Sequence, residues 1–217
     1  MYLSRIKLDT KRRETLRALE SPQLFHGAVE QSFDGSRQRN LWRTDWVGDA
    51  CHLLVLSAGK PNLTRVAEQF GDVNTGISFE AKEYDPLLER LQAGQTWKFR
   101  LRANPVHSSP SEKEGDGQRG KLYAHVTQEQ QKMWLMKRAT SYGFSLESDQ
   151  FDVVHTQWVK FRKSGDPNRE VTLRTATFEG VLTITDAEIF RQSLVNGIGR
   201  AKAYGCGLLT IARAGGY

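Results

Sequence analysis

The chain has 217 residues, enough for one large domain or two domains of about 100 residues each. Hydrophobic residues make up 38% and charged residues 26%, which argues against a disordered chain and for a buried core. Lysine and arginine number 31 against 25 aspartate and glutamate, so the formal net charge is +6. A basic balance favours a polyanionic partner without requiring one.

The two cysteines, Cys51 and Cys206, lack the spacing of a metal site. We therefore expect no zinc site, and no other metal or cofactor. The sequence contains no signal peptide and no apolar run of membrane-spanning length. We expect a cytoplasmic protein with reduced thiols and no membrane partner.

The first half predicts the element order β-α-β-β-α-β, which is that of a ferredoxin-like fold. Residues 2–8 alternate apolar and polar side chains, as a half-buried strand does. A basic loop is expected at 11–17, and Ser21 with Pro22 then indicates the start of a helix. Further strands are expected at 40–46, 52–57 and 77–84, with a short helix at 61–70.

The same order recurs in the second half. Thr127 and Asp186 are expected to cap helices that end near residues 140 and 196. A segment rich in serine, glycine and charge, 107–120, predicts a mobile loop. Strands are expected at 96–103, 144–155, 158–163, 169–185 and 208–212, with a turn at 166–168. We therefore predict an α+β protein of two tandem ferredoxin-like (βαββαβ) domains, residues 1–93 and 94–217.

A glycine-rich segment, GIGRAKAYGCG at 197–207, follows the last predicted helix. Glycines let a backbone approach a ligand closely, and their amides can bind phosphate. The segment follows a helix and has no Gly-Lys-Ser/Thr ending, which excludes a Walker A loop and a Rossmann fingerprint. We predict that Gly199, Arg200 and Lys202 contact phosphate; an ordinary helix end and turn is the alternative.

Two predicted strands carry cations on one face only. Because side chains alternate in a strand, each presents a cationic stripe above an apolar face. A polyanionic partner would suit such a surface; a solvated sheet face is the alternative. The first stripe is Lys98, Arg100 and Arg102; the second is Trp158, Lys160 and Arg162, with Lys163 at its end.

The run GIGRAKAYGCGLL at 197–209 resembles the C-terminal signature of the CRISPR-associated repeat-processing endoribonucleases, in particular the CasE subunits of type I-E Cascade complexes. The stretches MYLS (1–4), FRLRANP (99–105) and FEGVLTI (178–184) agree in the same order. The resemblance implies two RAMP-type ferredoxin-like domains and a metal-independent endoribonuclease that binds and cuts CRISPR repeat RNA. The implied partners are the repeat hairpin RNA and other Cascade subunits, including the backbone subunit beside the crRNA 3′ handle.

The resemblance also assigns site residues. The family places its catalytic histidine on the first-domain helix, a few residues after its start, where His26 stands. Family members carry a tyrosine three residues earlier; Gln23 stands there, and glutamine can donate hydrogen bonds but cannot transfer a proton at neutral pH. Lys160, Arg162 and Lys163 match the family's basic β-hairpin, and Arg100 and Arg102 are expected as further RNA contacts.

The implied reaction uses the RNA's own 2′-hydroxyl against the adjacent phosphate. An imidazole titrates near neutrality and can act as the base or the acid, while cations stabilise the charge on phosphate. The products would be a 2′,3′-cyclic phosphate (or 3′-phosphate) and a 5′-hydroxyl. Two alternatives remain: a non-catalytic RNA-binding subunit, which needs no histidine, and a small-molecule-binding ferredoxin-like domain, which needs no cationic stripe.

Overall fold

A computed structural model describes residues 1–33, 39–72, 79–109, 121–163 and 166–213, with the backbone alone described for 166–169. Within these ranges the chain forms two main antiparallel sheets flanked by helices. Of the helices described, none is both long and apolar enough to cross a membrane.

The first sheet has four strands in the order β2-β3-β1-β4. Together with its helices it has the element order and crossovers of the ferredoxin-like fold, so the prediction for the first half is confirmed. The strands are β1 (Tyr2–Leu8), β2 (Leu41–Val47), β3 (Ala50–Ser57) and β4 (Glu80–Glu83); the helices are α1 (Arg13–Glu20), α2 (Gln23–Glu30) and α3 (Thr64–Phe70).

The second sheet repeats the arrangement, with the order β11-β5-β10 and with β8 and β9 pairing to different parts of β10. The second ferredoxin-like unit is therefore confirmed, whereas its predicted start at residue 94 stays a prediction. Two short strands form a separate pair. The strands are β5 (Thr96–Ala103), β6 (Val106–Ser108), β7 (Leu122–Ala124), β8 (Phe144–Ser145), β9 (Phe151–Lys163), β10 (Asp166–Ile184) and β11 (Leu209–Arg213); the helices are α4 (Asp85–Glu89), α5 (Gln128–Ala139) and α6 (Ala187–Asn196).

Both predicted helix caps of the second half are confirmed. The Thr127 hydroxyl accepts a hydrogen bond from the Gln130 amide (3.2 Å), and the Gln130 side chain accepts one from the Thr127 amide (3.3 Å). This reciprocal pair satisfies two backbone donors at the start of α5. The Asp186 carboxylate accepts a hydrogen bond from the Ile189 amide (2.9 Å) and begins α6 in the same way.

The prediction of a basic loop at 11–17 was wrong, because most of that segment lies in α1. The helix is held through polar contacts with the end of α3. The Thr15 hydroxyl donates to the carbonyl of Phe70 (3.2 Å), and the Arg12 guanidinium contacts the carbonyl of Glu68. Thr15, Ala18 and Leu19 stand at helical spacing and face the core, but the surrounding cations were interpreted as a loop.

The strand expected at 144–155 is in fact two strands. After β8 the chain makes a turn in which the Gln150 amide donates to the Glu147 carbonyl (3.0 Å), and β9 begins at Phe151. The strand expected at 158–163 is the second part of the same β9. Residues 166–168, expected as a turn, belong to β10, whose register with β9 shifts between Asp166 and Glu170.

Two predictions fall partly outside the described residues. In the loop expected at 107–120, His107 belongs to β6, and residues 110–120 are not described. In the strand expected at 77–84, residues 77 and 78 are not described, and β4 occupies Glu80–Glu83.

The two halves share hydrophobic packing through β3. Leu53 and Val55 belong to the core formed with helices α1, α2 and α3. Leu56 belongs to the larger core of the second half, against which Leu54 also packs. Because β3 is apolar on both faces, it joins the two sheets into one packed body.

A buried arginine also joins the two sheets. Arg43 of β2 is 1% exposed and donates from Nε and Nη2 to the two carboxylate oxygens of Asp45 (2.8 and 2.6 Å). Its Nη1 donates to the carbonyls of Arg100 and Leu208 (2.8 and 2.7 Å), and its Nη2 to the Thr210 hydroxyl (2.8 Å). A buried ion pair is stable only when its remaining donors are satisfied, as they are here. Arg43 therefore fixes β2 against β5 and β11.

Candidate functional site

Helix α2 carries the two predicted catalytic residues, Gln23 and His26, one turn apart on the same side. The opposite side is anchored by Phe25, whose ring lies 5.7 Å from that of Trp42 and 5.0 Å from that of Phe70. Gln23 and His26 are both half-buried. The anchored helix thus holds the imidazole at the edge of the core, where it stays partly exposed.

The second cationic stripe lies on β9 as predicted. Trp158, Lys160 and Arg162 are exposed on one face, and Val159 and Phe161 are buried on the other. Lys163, at the strand end, is exposed as well. Within the part of the chain that the structure describes, no carboxylate forms an ion pair with the three cations.

The glycine-rich segment packs against both β9 and α2. Residues Lys202–Tyr204 form a single 3₁₀ turn that packs against α2. The Tyr204 ring lies 4.8 Å from the Phe161 ring in an edge-on arrangement. The buried face of the cationic strand and the helix that carries His26 therefore rest on the same turn.

Where α1 and α2 meet β9 there is a groove of about 370 Å³, which we call the junction groove. It brings Gln23 together with two of the predicted RNA-binding cations, although these residues come from opposite halves of the chain. His26 follows Gln23 by one turn of α2. The lining includes Arg17, Glu20, Gln23, Leu24, Lys160 and Arg162.

Sequence reasoning missed three residues near this groove. Arg17 and Glu20 were missed because α1 was taken for a loop. Tyr204 was quoted within the glycine-rich signature but was given no role. Its neighbours in the structure are Phe161 and α2, and no sequence spacing signals that contact.

The glycines of this segment are explained by close packing. Gly205 has φ +74°, and a Cβ there would lie 2.8 Å from the Trp42 ring. Gly199 has φ +78°, its Cβ would lie 3.2 Å from the Trp134 ring, and its amide donates to the Tyr142 hydroxyl (3.3 Å). The alternative of a structural turn therefore accounts for these two glycines, and a phosphate contact by Gly199 stays a prediction.

The two cations of the segment differ. Arg200 is exposed, whereas Lys202 is half-buried, and burial followed by the nearby charge of Arg39 lowers its pKa. Between them Ala201 has φ +61°, a left-handed conformation that is unfavourable for any residue with a Cβ. Strained backbone of this kind concentrates at functional sites, which favours a role for this turn beyond connection.

The first cationic stripe, on β5, is half-buried and partly neutralised. Arg100 Nη1 lies 3.0 Å from a Glu179 carboxylate oxygen, and Arg100 Nε lies 3.4 Å from Asp45. Among the residues that the structure describes, no carboxylate is paired with Arg102. Lys98 is exposed at the other end of the strand. Of the two arginines predicted to contact RNA, Arg102 has the more available charge.

The other histidines lie away from the junction groove. The His107 and His125 rings are 4.8 Å apart beside the β6–β7 pair, and burial followed by the charge of His107 lowers the pKa of His125. Burial also lowers the pKa of His52 on β3. His155 is exposed on β9. No group of three His, Cys, Asp or Glu side chains is placed to hold a metal ion in the described ranges.

Known proteins resemble this chain in sequence and in structure. The profile of a family described as CRISPR associated protein matches residues 1–213. The chain is 27% identical, over 98% of its length and all of the relative's, to the CRISPR-associated endoribonuclease Cse3 of Thermus thermophilus. It is 30% identical, over 76% of its length and 75% of the relative's, to the CRISPR system Cascade subunit CasE of Escherichia coli. A solved structure of the CRISPR endoribonuclease Cse3 bound to a 19-nucleotide RNA superposes with a TM-score of 0.80 at 25% identity, over 98% of this chain and 100% of that one. The chain belongs to the family of CRISPR associated proteins.

Proposed function

We propose that the protein is a metal-independent endoribonuclease that binds the stem-loop of CRISPR repeat RNA and cleaves pre-crRNA at the base of the stem. The observation that carries the proposal is the junction groove. There a helix with a half-buried histidine meets a strand whose cations are available to phosphate. The relatives named as an endoribonuclease and as a Cascade subunit support the same function.

Binding rests on cations arranged along β9 and the neighbouring turn. Lys160, Arg162 and Lys163 contact phosphates of the stem, and Arg200 and Lys202 extend the surface past Tyr204. An A-form helix exposes its phosphates and 2′-hydroxyls, so a row of cations can recognise it by shape. Gly199 and the β5 arginines, Arg100 and Arg102, are the remaining predicted contacts.

Cleavage proceeds by attack of the 2′-hydroxyl at the base of the stem. The 2′-oxygen forms a bond to the adjacent phosphorus, and the bond from phosphorus to the 5′-oxygen breaks. His26 acts as general base or general acid for one of the two proton transfers. Gln23 orients the reacting groups through hydrogen bonds, and the β9 cations stabilise the charge on phosphate. The products are a 2′,3′-cyclic phosphate (or 3′-phosphate) and a 5′-hydroxyl.

We further propose that the protein stays bound to the mature crRNA as a subunit of a Cascade complex, beside a backbone subunit at the 3′ handle. Cleavage at the base of the stem leaves the stem phosphates unchanged, so contacts made by β9 persist in the product. The relative named as a Cascade subunit supports this assembly. We place this activity in the cytoplasm, where the thiols of Cys51 and Cys206 stay reduced.

The decisive experiment replaces His26 by alanine and measures single-turnover cleavage of a cognate repeat RNA. A positioned general acid or base contributes roughly 10²–10⁴-fold, so the rate should fall by about that factor. Affinity for the stem-loop should change little, because cation contacts to phosphate dominate it. His107→Ala is the matched control, since this histidine lies outside the groove, and it should cut at the wild-type rate.

Two changes of condition complete the test. A 2′-deoxy nucleotide at the scissile position should abolish cleavage, and EDTA should leave the rate unchanged. Cleavage of the deoxy substrate, or loss of activity in EDTA, would overturn the mechanism. A wild-type protein that binds the repeat but never cuts it would be the non-catalytic RNA-binding subunit.

A further inference from the structure

A second cleft, of about 500 Å³, opens where β2 and α1 of the first half face β5, β9 and β10 of the second. We call it the inter-sheet cleft. Its volume falls in the range of ligand pockets, which is about 300–1,000 Å³. None of the residues that line the junction groove lines this cleft, so the two cavities are separate.

An exposed aromatic ring lines this cleft. Trp46, at the end of β2, is 52% exposed. Leu19 of α1 and Val154 of β9 add apolar surface on either side of the opening, and Val154 is also exposed. Exposed indoles beside apolar side chains are the usual platform for stacking an unpaired base.

The cleft also contains a cation for a phosphate. The charge of Arg100 is matched by Asp45 and Glu179. Arg102 lines the same cleft and, among the residues that the structure describes, has no paired carboxylate. Arg102 is therefore the group that can bind a phosphate there without first breaking an ion pair.

Polar side chains on β9 and β10 complete the wall. His155, Gln157 and Thr177 supply hydrogen-bond donors and acceptors of the kind that read the edge of an unpaired base. The register between β9 and β10 shifts here, between Thr177 and Phe178. A bulge of this kind redirects side chains and is common beside binding sites.

The inter-sheet cleft adjoins the junction groove. Leu19 lines one and Glu20, its neighbour on α1, lines the other. Along β9, Gln157 lines the cleft, and Phe161, on the same face of the strand, lines the groove about 13 Å further on at the rise of a strand. A strand of RNA leaving the junction groove can therefore enter the cleft within one or two nucleotides.

From these observations we propose that the inter-sheet cleft binds an unpaired nucleotide of the single-stranded RNA that flanks the repeat stem. The base stacks on Trp46 and the phosphate is held by Arg102. This inference rests on the proposed binding of repeat RNA and adds a site for the flanking strand. The β9 surface then holds the stem, and the cleft holds its unpaired continuation.

The test compares a stem-loop RNA with the same stem-loop extended by three unpaired nucleotides on the 5′ or the 3′ side. The wild-type protein should bind one of the extended RNAs more tightly, by about 10-fold or more, from the stacking of one base. Trp46→Ala should remove most of that gain and leave the affinity for the bare stem-loop unchanged, and Arg102→Gln should also remove most of the gain. A 2-aminopurine in the extension should be quenched by the wild type and remain bright with Trp46→Ala.

Three control variants separate this inference from the proposed function. Neutralising Lys160, Arg162 and Lys163 should weaken binding of bare and extended RNA alike. Trp158→Ala removes an equally exposed tryptophan from the stem surface, and should also affect both RNAs equally. Trp46→Phe keeps an aromatic ring and should retain part of the gain.

Three results would overturn the inference. The first is that neither extension increases the affinity of the wild type. The second is that Trp46→Ala weakens the binding of both RNAs equally. The third is that Trp46→Ala and Arg102→Gln leave RNA binding intact and instead prevent assembly with other Cascade subunits, which would make the cleft a protein-docking site. If the wild type binds no repeat RNA at all, the proposed function fails first.

Discussion

Strands β5 and β9 carry the same alternation of cations and apolar residues, yet their charges differ in availability. β5 lies between β10 and β11, with Glu179 opposite Arg100 in register. Among the described strands, β9 pairs with β10 alone, and Lys160 faces Thr172. The carboxylate opposite Arg162, that of Glu170, accepts a hydrogen bond from the Thr172 hydroxyl (3.4 Å).

The contrast between β5 and β9 separates two properties of a cationic stripe: the face that it occupies and the availability of its charges. Alternation fixes which face a side chain occupies, because that depends only on the strand. Whether a charge on that face is free to bind phosphate depends on partners from other strands. Asp45, which neutralises part of Arg100, comes from the other half of the chain.

The largest expected effect is on β9. Changing Lys160, Arg162 and Lys163 to glutamine should weaken binding of the stem-loop and reduce the log–log salt slope by roughly 2 to 3 units. The reason is that each lost phosphate contact no longer releases counterions. Measuring the affinity for the stem-loop across a salt series gives both the loss of affinity and the change in slope.

A matched control removes the same charge elsewhere. Arg65, Lys82 and Arg90 are exposed and line neither the junction groove nor the inter-sheet cleft. Their triple change to glutamine should leave the slope nearly unchanged. If both triple variants flatten the slope equally, net charge rather than the β9 surface determines binding.

A single contact should have an intermediate effect. Arg200→Gln should reduce the salt slope by somewhat under one unit, because Arg200 is exposed beside the β9 surface. Gly199→Val is a poorer probe, since its positive φ and the nearby Trp134 ring would also destabilise the fold. An Arg200→Gln protein with wild-type slope and affinity would remove this turn from the RNA surface.

The smallest effect is expected at Arg100. Its guanidinium already has two carboxylate partners, so Arg100→Gln should change the salt slope less than Arg200→Gln does. Partly exposed ion pairs contribute about 0–1 kcal/mol, so the melting temperature should fall only slightly. A reduction of the salt slope as large as that of Arg200→Gln would mean that RNA displaces the carboxylates. The charges of β5 and β9 would then not differ in availability.

Sequence patterns predicted the elements whose signals are local. The bounds of β5, the Thr127 cap and the Asp186 cap depend on neighbouring residues and match the structure. Helix α1 was missed because its cations were interpreted as a loop, although Thr15, Ala18 and Leu19 stand at helical spacing. The break before Phe151 was visible in the polar run Glu147–Gln150, and apolar residues on both sides obscured it.

The cavities themselves could not be predicted. The exposure of Lys160 follows from alternation along β9, but its meeting with Gln23 depends on how the two halves pack. The inter-sheet cleft likewise unites Trp46 and Arg102 from different sheets. Glycines at 199 and 205 suggested phosphate binding, whereas the structure also gives each one an aromatic ring to pack against.

The buried arginine that joins the sheets has a consequence for how freely the two halves can diverge. Arg43 and Asp45 supply the side chains on the first half, while Arg100 and Leu208 accept through backbone carbonyls. A backbone carbonyl is the same whatever residue bears it. We therefore expect chimaeras that exchange the second half between relatives to tolerate other residues at 208, whereas the side chains of Arg100 and Thr210, which contact Asp45 and Arg43, should matter. Loss of either Arg43 or Asp45 should weaken the junction between the halves in every such hybrid.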